Sequence, residues 1–366
     1  MYSGIHYLYR QAKGERTMNI NRKWLYTDDT AANCFFRSAL NPPDLKVMLQ
    51  ITTRCNMHCK HCFLSATNTG TDISYSIFKS HIIKKLTESN VKKVTLTGGE
   101  PLLNPAILDI ISTLHDADIQ SCICTNASLV TEKMLERLEH LNVHFNVSLD
   151  GINYNSYGLF REISDINYFT RTLENIRMIG SHGLLNGILT TPNRLTKSEE
   201  YIAICDFAIN VGANYLLLNP LSPFGRGKGA TALALLPQEM NEIKQQLDAH
   251  LSKFSDDNSF HLVYIRFPNS TKKEPAPCTA GLIPYIFTNG DIAICPYMVF
   301  AAENTDNDYS CSDFILGNIY DEGSIASKIR SYQRTHSFCH HGEKENIGCP
   351  AIKIAKNLPL DCEDVL

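Results

Sequence analysis

An α/β fold is predicted for this chain, with a parallel sheet bent into a partial barrel and a small cysteine-rich region after it. Three observations predict it. From Leu45 onward, short apolar runs rich in β-formers alternate with amphipathic helical stretches. The alternation repeats six times, as successive βα units around a parallel sheet require. Past Pro268 it gives way to prolines and cysteines. Six units are too few to close an eight-stranded TIM barrel, so the expected form is an open, TIM-like (β/α)6 arc.

The strands read as Lys46 to Thr52, Lys93 to Thr97, Gln120 to Cys124, Val143 to Leu149, Leu185 to Thr190 and Asn214 to Leu218. Helical stretches are expected near Ser76 to Thr87, Pro105 to His115, Thr131 to Leu141, Tyr168 to His182, Ser198 to Val211 and Pro237 to Lys253. Their apolar residues recur three and four positions apart, as in Leu135, Leu138 and Leu141. One more strand is expected from His261 to Phe267. A proline-rich boundary follows (Pro268, Pro275, Pro277), then a region with little helix that metal stabilises more than a hydrophobic core does. The division is therefore an N-terminal extension (1–44), a barrel (45–267) and a small C-terminal domain (268–366).

Composition narrows the function. With 366 residues, 43% of them hydrophobic, the chain can bury a large core. A net charge of -4, a pI near 6.3 and no block of Lys or Arg argue against a grip on nucleic acid. Met1 to Lys23 lacks the apolar core of a signal peptide, and no apolar run is long enough to cross a membrane, so a cytoplasmic protein is expected.

Thirteen cysteines in a reducing compartment point to metal rather than disulfides. Cys34, Cys122, Cys124 and Cys205 stand alone or in apolar settings and read as packing residues. Cys55, Cys59 and Cys62 follow the first strand on one loop, where parallel βα folds place their sites. Such spacing lets a short loop present three thiolates to a 4Fe-4S cluster and leaves a fourth iron open, where an amine and a carboxylate could chelate. Zinc is the rival, with His58 or His61 as the fourth ligand.

The pattern Cys55, Cys59, His61, Cys62 resembles the CxxxCxφC motif of the radical SAM superfamily, with His61 at the aromatic position. Further matches fall on successive strand ends. Gly98, Gly99, Glu100 and Pro101 look like the family's GGEP segment, where glycines let backbone approach a ligand and Glu100 can accept protons of the methionine amine. Thr125 and Asn126 resemble its TNG segment, with Ala127 in place of the usual glycine. Ser148, Leu149, Asp150 and Gly151 resemble its SxDG segment, whose Ser and Asp can bond the ribose or the methionyl carboxylate. Arg161 stands where similar enzymes set an arginine against that carboxylate. Asn193 and the run Pro223, Phe224, Gly225, Arg226, Gly227 resemble positions near SAM.

The C-terminal region resembles the SPASM or twitch extension, which holds auxiliary iron-sulfur clusters. Asn289 and Gly290 signal a β-hairpin that puts Cys278 and Cys295 near its opposite ends, and Leu316 to Ile319 resembles that extension's LGNI segment. The resemblance implies Cys278, Cys295 and Cys349 as ligands of one auxiliary cluster, with Cys311 as a candidate fourth. A second cluster on Cys339 and Cys362 needs unusual ligands or is absent, since His336 and Glu345 align where cysteines are usual. A zinc site built from these six cysteines is the alternative.

The resemblance thus implies an oxidoreductase that cleaves S-adenosylmethionine reductively to a 5'-deoxyadenosyl radical and takes hydrogen from a substrate. A ribosomally made precursor peptide is the leading substrate, crosslinked or otherwise oxidised. A small molecule such as an aminoglycoside or sugar alcohol, dehydrogenated or epimerised, is the alternative. A flavodoxin- or ferredoxin-type electron donor is the implied partner. A zinc-binding interaction protein would need no SAM site. No residue is singled out as a hydrogen donor.

Overall fold

The computed structural model describes residues 43–253, 260–265, 281, 283–303, 309–335 and 349–355. Seven parallel strands follow one another in chain order: β1 (Leu45–Thr52), β2 (Val91–Gly98), β3 (Gln120–Thr125), β4 (Val143–Ser148), β5 (Leu185–Thr190), β6 (Tyr215–Leu218) and β7 (His261–Tyr264). Crossover helices join them: α1 (75–88, opened into a π-helical turn at Phe78–Ile82), α2 (Ile107–Asp116), α3 (Glu132–Leu138), the pair α4 (Tyr154–Arg161) and α5 (Ile166–Ser181), α6 (Ser198–Asn210) and α7 (Pro237–Leu251). The seven strands form the expected open, TIM-like arc, and strand ends fall within two residues of the sequence reading except at β7. There the strand ends at Tyr264 with a bend at Ile265, and Arg266 and Phe267 of the expected span lie outside the described residues.

Strand alternation explains why the arc has a dry outside and a polar inside. Val47, Leu49 and Ile51 of β1, Val94 and Leu96 of β2, and Val143, Phe145 and Val147 of β4 share one face and merge with Ile110 and Leu114 of α2 and Ile176 and Ile179 of α5 into the main core. The other face carries Gln50, Thr95, Thr97, Cys122, His144 and Asn146, all buried. Within it Tyr215 Oη donates to Asn146 Oδ1 at 2.7 Å, and Asn186 Nδ2 donates to the same oxygen at 3.1 Å. Paired in this way, buried polar groups are not a large penalty.

The hairpin signalled by Asn289 and Gly290 is present: β8 (Tyr285–Ile286) pairs antiparallel with β9 (Asp291–Ala293), and Gly290 takes the left-handed φ of +92° that the turn demands. β10 (Ile315–Asn318) pairs with β9. β8 also pairs in parallel with β1, Met48 opposite Tyr285 and Leu49 opposite Ile286, so one sheet runs in the order β10, β9, β8, β1 to β7.

One expectation needs correction. The C-terminal region is not poor in helix: α8 (Pro296–Glu303), α9 (Ile325–Thr335) and α10 (Pro350–Ala355) lie within it. Pro296 to Ala302 of α8 are all buried, so that helix has no polar face and no periodic signal. Nor does that region lack an apolar core, because Met48, Tyr285, Ile294, Met298, Phe300, Phe314 and Ile354 pack together. Among the described residues no helix is long and apolar enough to cross a membrane.

Candidate active site

The loop after β1 carries the first cysteine triplet and is held from both sides. Gly99 N–H donates to Thr52 O (3.0 Å) and Glu100 N–H to Arg54 O (2.7 Å), while Cys55 N–H donates to Thr67 O (2.6 Å). Arg54 spans the loop base, donating from Nε to Asp72 Oδ1 (3.1 Å) and from Nη2 to Leu103 O (2.7 Å). The glycines serve this docking. A Cβ on Gly98 would lie 2.3 Å from Thr52 O, and one on Gly99 would lie 2.2 Å from Arg54 O and 2.9 Å from Cys55 Cβ. What approaches closely here is the cysteine loop itself, whatever else the turn faces.

A cavity of about 180 Å³ opens at the C-terminal ends of the strands. Cys55, Cys59, His61, Cys62, Gly98, Gly99, Glu100, Asn126, Ser148, Asp150 and Arg161 all line it. Residues from four successive strand ends therefore converge on one space. Burial pushes the Cys55 thiol up to about 11 and the Cys59 thiol to about 12, so both hold their protons until a metal replaces them. Met57 N–H already points at Cys55 Sγ (3.4 Å).

Glu100 caps the short 3-10 turn Pro101–Leu103 and gathers three donors: Thr125 Oγ1 (2.6 Å), Asn126 N–H (2.8 Å) and Leu102 N–H (3.1 Å). Burial nevertheless dominates and raises its carboxyl to about 7. A cationic group entering the cavity would tip it to carboxylate. Asn126 is fixed by Asn56 Oδ1, which accepts from its Nδ2 (2.9 Å), and by Ser128, whose N–H and hydroxyl both donate to Asn126 Oδ1 (3.0 and 2.6 Å). Ala127, at the usual glycine position, has a left-handed φ of +62°.

Asp150 is more committed than the sequence suggests. Arg161 donates to its Oδ2 from Nε (2.8 Å) and Nη2 (2.7 Å), Thr191 N–H donates to its Oδ1 (2.7 Å), and His61 Nε2 lies 3.4 Å from Oδ2. Burial works against the charge on Arg161, and Asp150 more than offsets this and keeps the guanidinium protonated. The methionyl carboxylate expected beside these two residues would have to share them. His61 stacks on Phe160 (centroids 4.3 Å apart, planes 10° apart), and burial lowers it to about 4 despite Asp150, so it is a neutral ring at pH 7.

Asn193 is not among the residues lining the cavity. Its side chain organises its own loop, donating to Thr191 O (2.9 Å) and accepting from Leu195 N–H (2.9 Å). Conversely, Cys124, read as packing, sits in the cavity wall, as do Asn219, Ser222 and Tyr297. Only the inward pleat of β3 could have flagged Cys124, and nothing local marks Tyr297, which α8 brings across from the C-terminal region.

The fit to a metal centre can be tested on the donors. Among the described residues no three His, Cys, Asp or Glu side chains converge as ligands of a single ion. A zinc ion needs four donors about 2.0–2.3 Å from one point, whereas a 4Fe-4S cluster bonds each thiolate to a different iron and spaces them wider. His58, a candidate zinc ligand, is turned outward to Glu162 Oε2 at 2.7 Å. The triplet suits a cluster. In the C-terminal region Cys295 and Cys349 each immediately precede the proline that opens α8 or α10, Cys311 opens the 3-10 turn Cys311–Phe314, and all three flank the second apolar core. Cys278, Cys339 and Cys362 lie outside the described residues.

Comparisons with known proteins show what the chain is similar to. Residues 49–207 match the family model of the Radical SAM superfamily. The chain is 28% identical to the uncharacterised Methanocaldococcus jannaschii protein MJ0907, over 78% of this chain and 92% of that one. It is 26% identical to the mycofactocin maturase MftC of Mycobacterium tuberculosis, over 90% and 84% respectively. Among solved structures, Streptococcus suis SuiB bound to S-adenosylmethionine superimposes with a TM-score of 0.66 at 16% identity, covering 88% of this chain and 76% of that one. The same protein bound to its precursor peptide SuiA gives 0.66 at 15% identity, covering 88% and 75%. The match to the Radical SAM family implies a 4Fe-4S cluster used with S-adenosylmethionine. With the cysteine loop, the buried Glu100 turn and the Asp150–Arg161 pair closing one cavity on successive parallel strands, and with the family model matched across them, residues 49–207 form a Radical SAM domain, and the similarities support a radical SAM enzyme.

Proposed function

We propose that the chain is a peptide-modifying radical SAM oxidoreductase, in which Cys55, Cys59 and Cys62 would hold the 4Fe-4S cluster used with SAM. The carrying observation is the convergence of those three cysteines with Glu100, Asn126 and Ser148 on one cavity. When bound and reduced, the cluster and SAM supply a 5'-deoxyadenosyl radical. The protein's own residues hold and exclude. Glu100 would accept from the amine of SAM, Gly98 and Gly99 keep the cysteine loop in place, Ser148 would bond the ribose, and Arg161, steadied by Asp150, would face the carboxylate. His61, backed by the stacked Phe160, walls the site against water. A precursor peptide as substrate is supported by the similarity to mycofactocin maturase MftC and by the fold shared with SuiB in its SuiA complex.

In this reading residues 45–267 carry the radical chemistry, and 268–366 carry an auxiliary cluster on Cys278, Cys295 and Cys349, with Cys311 as the fourth ligand. Cys339 and Cys362 remain for a second cluster. A cytoplasmic flavodoxin or ferredoxin supplies the electron.

Anaerobic reconstitution with dithionite and SAM tests the first assignment. Changing Cys55, Cys59 and Cys62 to Ala together is expected to abolish 5'-deoxyadenosine formation and to leave only C-terminal iron. An unchanged yield would refute it. Changing Cys295 or Cys349 to Ala should lower iron per chain without removing the first cluster's SAM-dependent signal.

A further inference from the structure

The run Pro223 to Gly227 resembles family positions near SAM, but its main contacts run elsewhere. Arg226 reaches the far side of the cysteine loop: its Nε donates to Cys59 O (2.9 Å), its Nη1 to Ala66 O (2.8 Å), and its backbone N–H to Cys62 O (3.0 Å). These three bonds satisfy carbonyls on and just after two of the three cysteines. Gly225 makes the approach feasible. Its φ is +53°, and a Cβ there would lie 2.4 Å from Phe63 O and 2.7 Å from Cys62 O. Gly227 folds back equally tightly, with a Cβ position 2.1 Å from Ser222 O.

The segment that grips the loop also faces the cavity, since Pro220 and Ser222 line it. Behind the grip, Phe224 is fully buried and packs against Tyr297 (centroids 5.4 Å apart). The cysteine loop is thus pinned to β2 through Gly99 and Glu100 at its start and to the β6 loop through Arg226 at its end.

We propose that Arg226 is a positioning residue of the cluster: its three hydrogen bonds fix the Cys59 to Ala66 stretch, and its fixed positive charge favours the reduced cluster. The inference rests on the reading that Cys55, Cys59 and Cys62 hold a 4Fe-4S cluster. Outer groups that orient ligands are worth about 10–100-fold in metal affinity or activity elsewhere. The charge effect follows from Coulomb's law in a partly buried site, because a reduced cluster carries one more negative charge.

The test uses the full chain, reconstituted anaerobically, as wild type, Arg226→Lys, Arg226→Gln and Arg226→Ala. Iron per chain, the fraction of cluster reduced at a fixed applied potential (from its electron paramagnetic resonance signal) and 5'-deoxyadenosine yield are read in each. In Arg226→Gln the reduced fraction is expected to fall about 10-fold, the scale of outer-group effects, with the cluster still assembled. Arg226→Lys should recover most of it. A Gln variant with wild-type reduced fraction and an unaltered signal would overturn the proposal, and so would a Lys variant no better than Gln. If Arg226→Ala fails to fold, the Lys and Gln pair still decides. Failure of the underlying reading looks different: the wild type then takes up no iron that the Cys55, Cys59 and Cys62 variants lack.

Discussion

Two buried carboxyls sit a few residues' width from the cysteines and behave in opposite ways. Asp150 is saturated by Arg161, Thr191 and His61, and the Asp150 and Arg161 side chains are only 2% and 4% exposed. Asp150→Ala should therefore cost about 3–5 kcal/mol, because an unpaired guanidinium is left in the interior. Denaturant unfolding would show this, and adding Arg161→Met should return much of the loss. Glu100 is instead held near neutrality, with its carboxyl raised from 4.5 to about 7 by burial. A folded value above the unfolded one means that the folded state binds the proton more tightly. Its contribution is full below pH 4.5 and is lost as pH rises through 7, on the order of 3 kcal/mol. In the metal-free protein, wild type should lose stability between pH 5 and pH 7.5 relative to Glu100→Gln, as compared by urea midpoints at each pH. Equal slopes for the two would show Glu100 ionised throughout. The convergence of Cys55, Cys59 and Cys62 was legible because all three lie on one loop. The saturation of Asp150 was not, since Thr191 and His61 reach it from other strand ends.

Strands and turns show where local sequence suffices. β5 matches its expected bounds residue for residue, because Leu185 to Thr190 lies between a clear helix and a turn. α8 was missed because a helix buried on every side has no stripe to read. The Gly98–Gly99 turn was recognised, yet its physical purpose emerged only with the chain packed against it. Gly99→Ala forces a methyl into Arg54 O and Cys55 Cβ. We expect a loss of about 2–3 kcal/mol, the upper range for overpacking, together with reduced iron uptake on reconstitution. Normal iron uptake and an unshifted melting temperature would show that the turn gives way freely. Ala127 illustrates the reverse: its left-handed backbone explains why glycine is usual there, at a strain of about 1–2 kcal/mol, which its fully buried methyl partly offsets.

At the scale of the whole molecule, β1 lies between β2 and β8, so the strand that leads into the cysteine loop is interior to a ten-stranded sheet. The sequence revealed both the arc and the hairpin, but their joining depends on pairing between residues remote in sequence, Met48 with Tyr285 and Leu49 with Ile286. A chain ending at residue 267 would leave β1 an unpaired edge and strip the cover from Met48. Such a chain is expected to aggregate, and a soluble, monomeric product with the full-length protein's urea midpoint would contradict this.

The same pairing sets an order of events during synthesis. β1 leaves the ribosome early, while the strand that completes its second side is made only when Tyr285 and Ile286 are added. At about 5–20 residues per second that interval is roughly 10–50 s. Throughout it the nascent arc can form β1 to β7 from near-neighbour contacts, but the flank of the cysteine strand stays open. Long-range closure of this kind is intrinsically slow. The cysteine loop is thus made long before the sheet seals, and its last wall, Tyr297, arrives with the segment bearing Cys295.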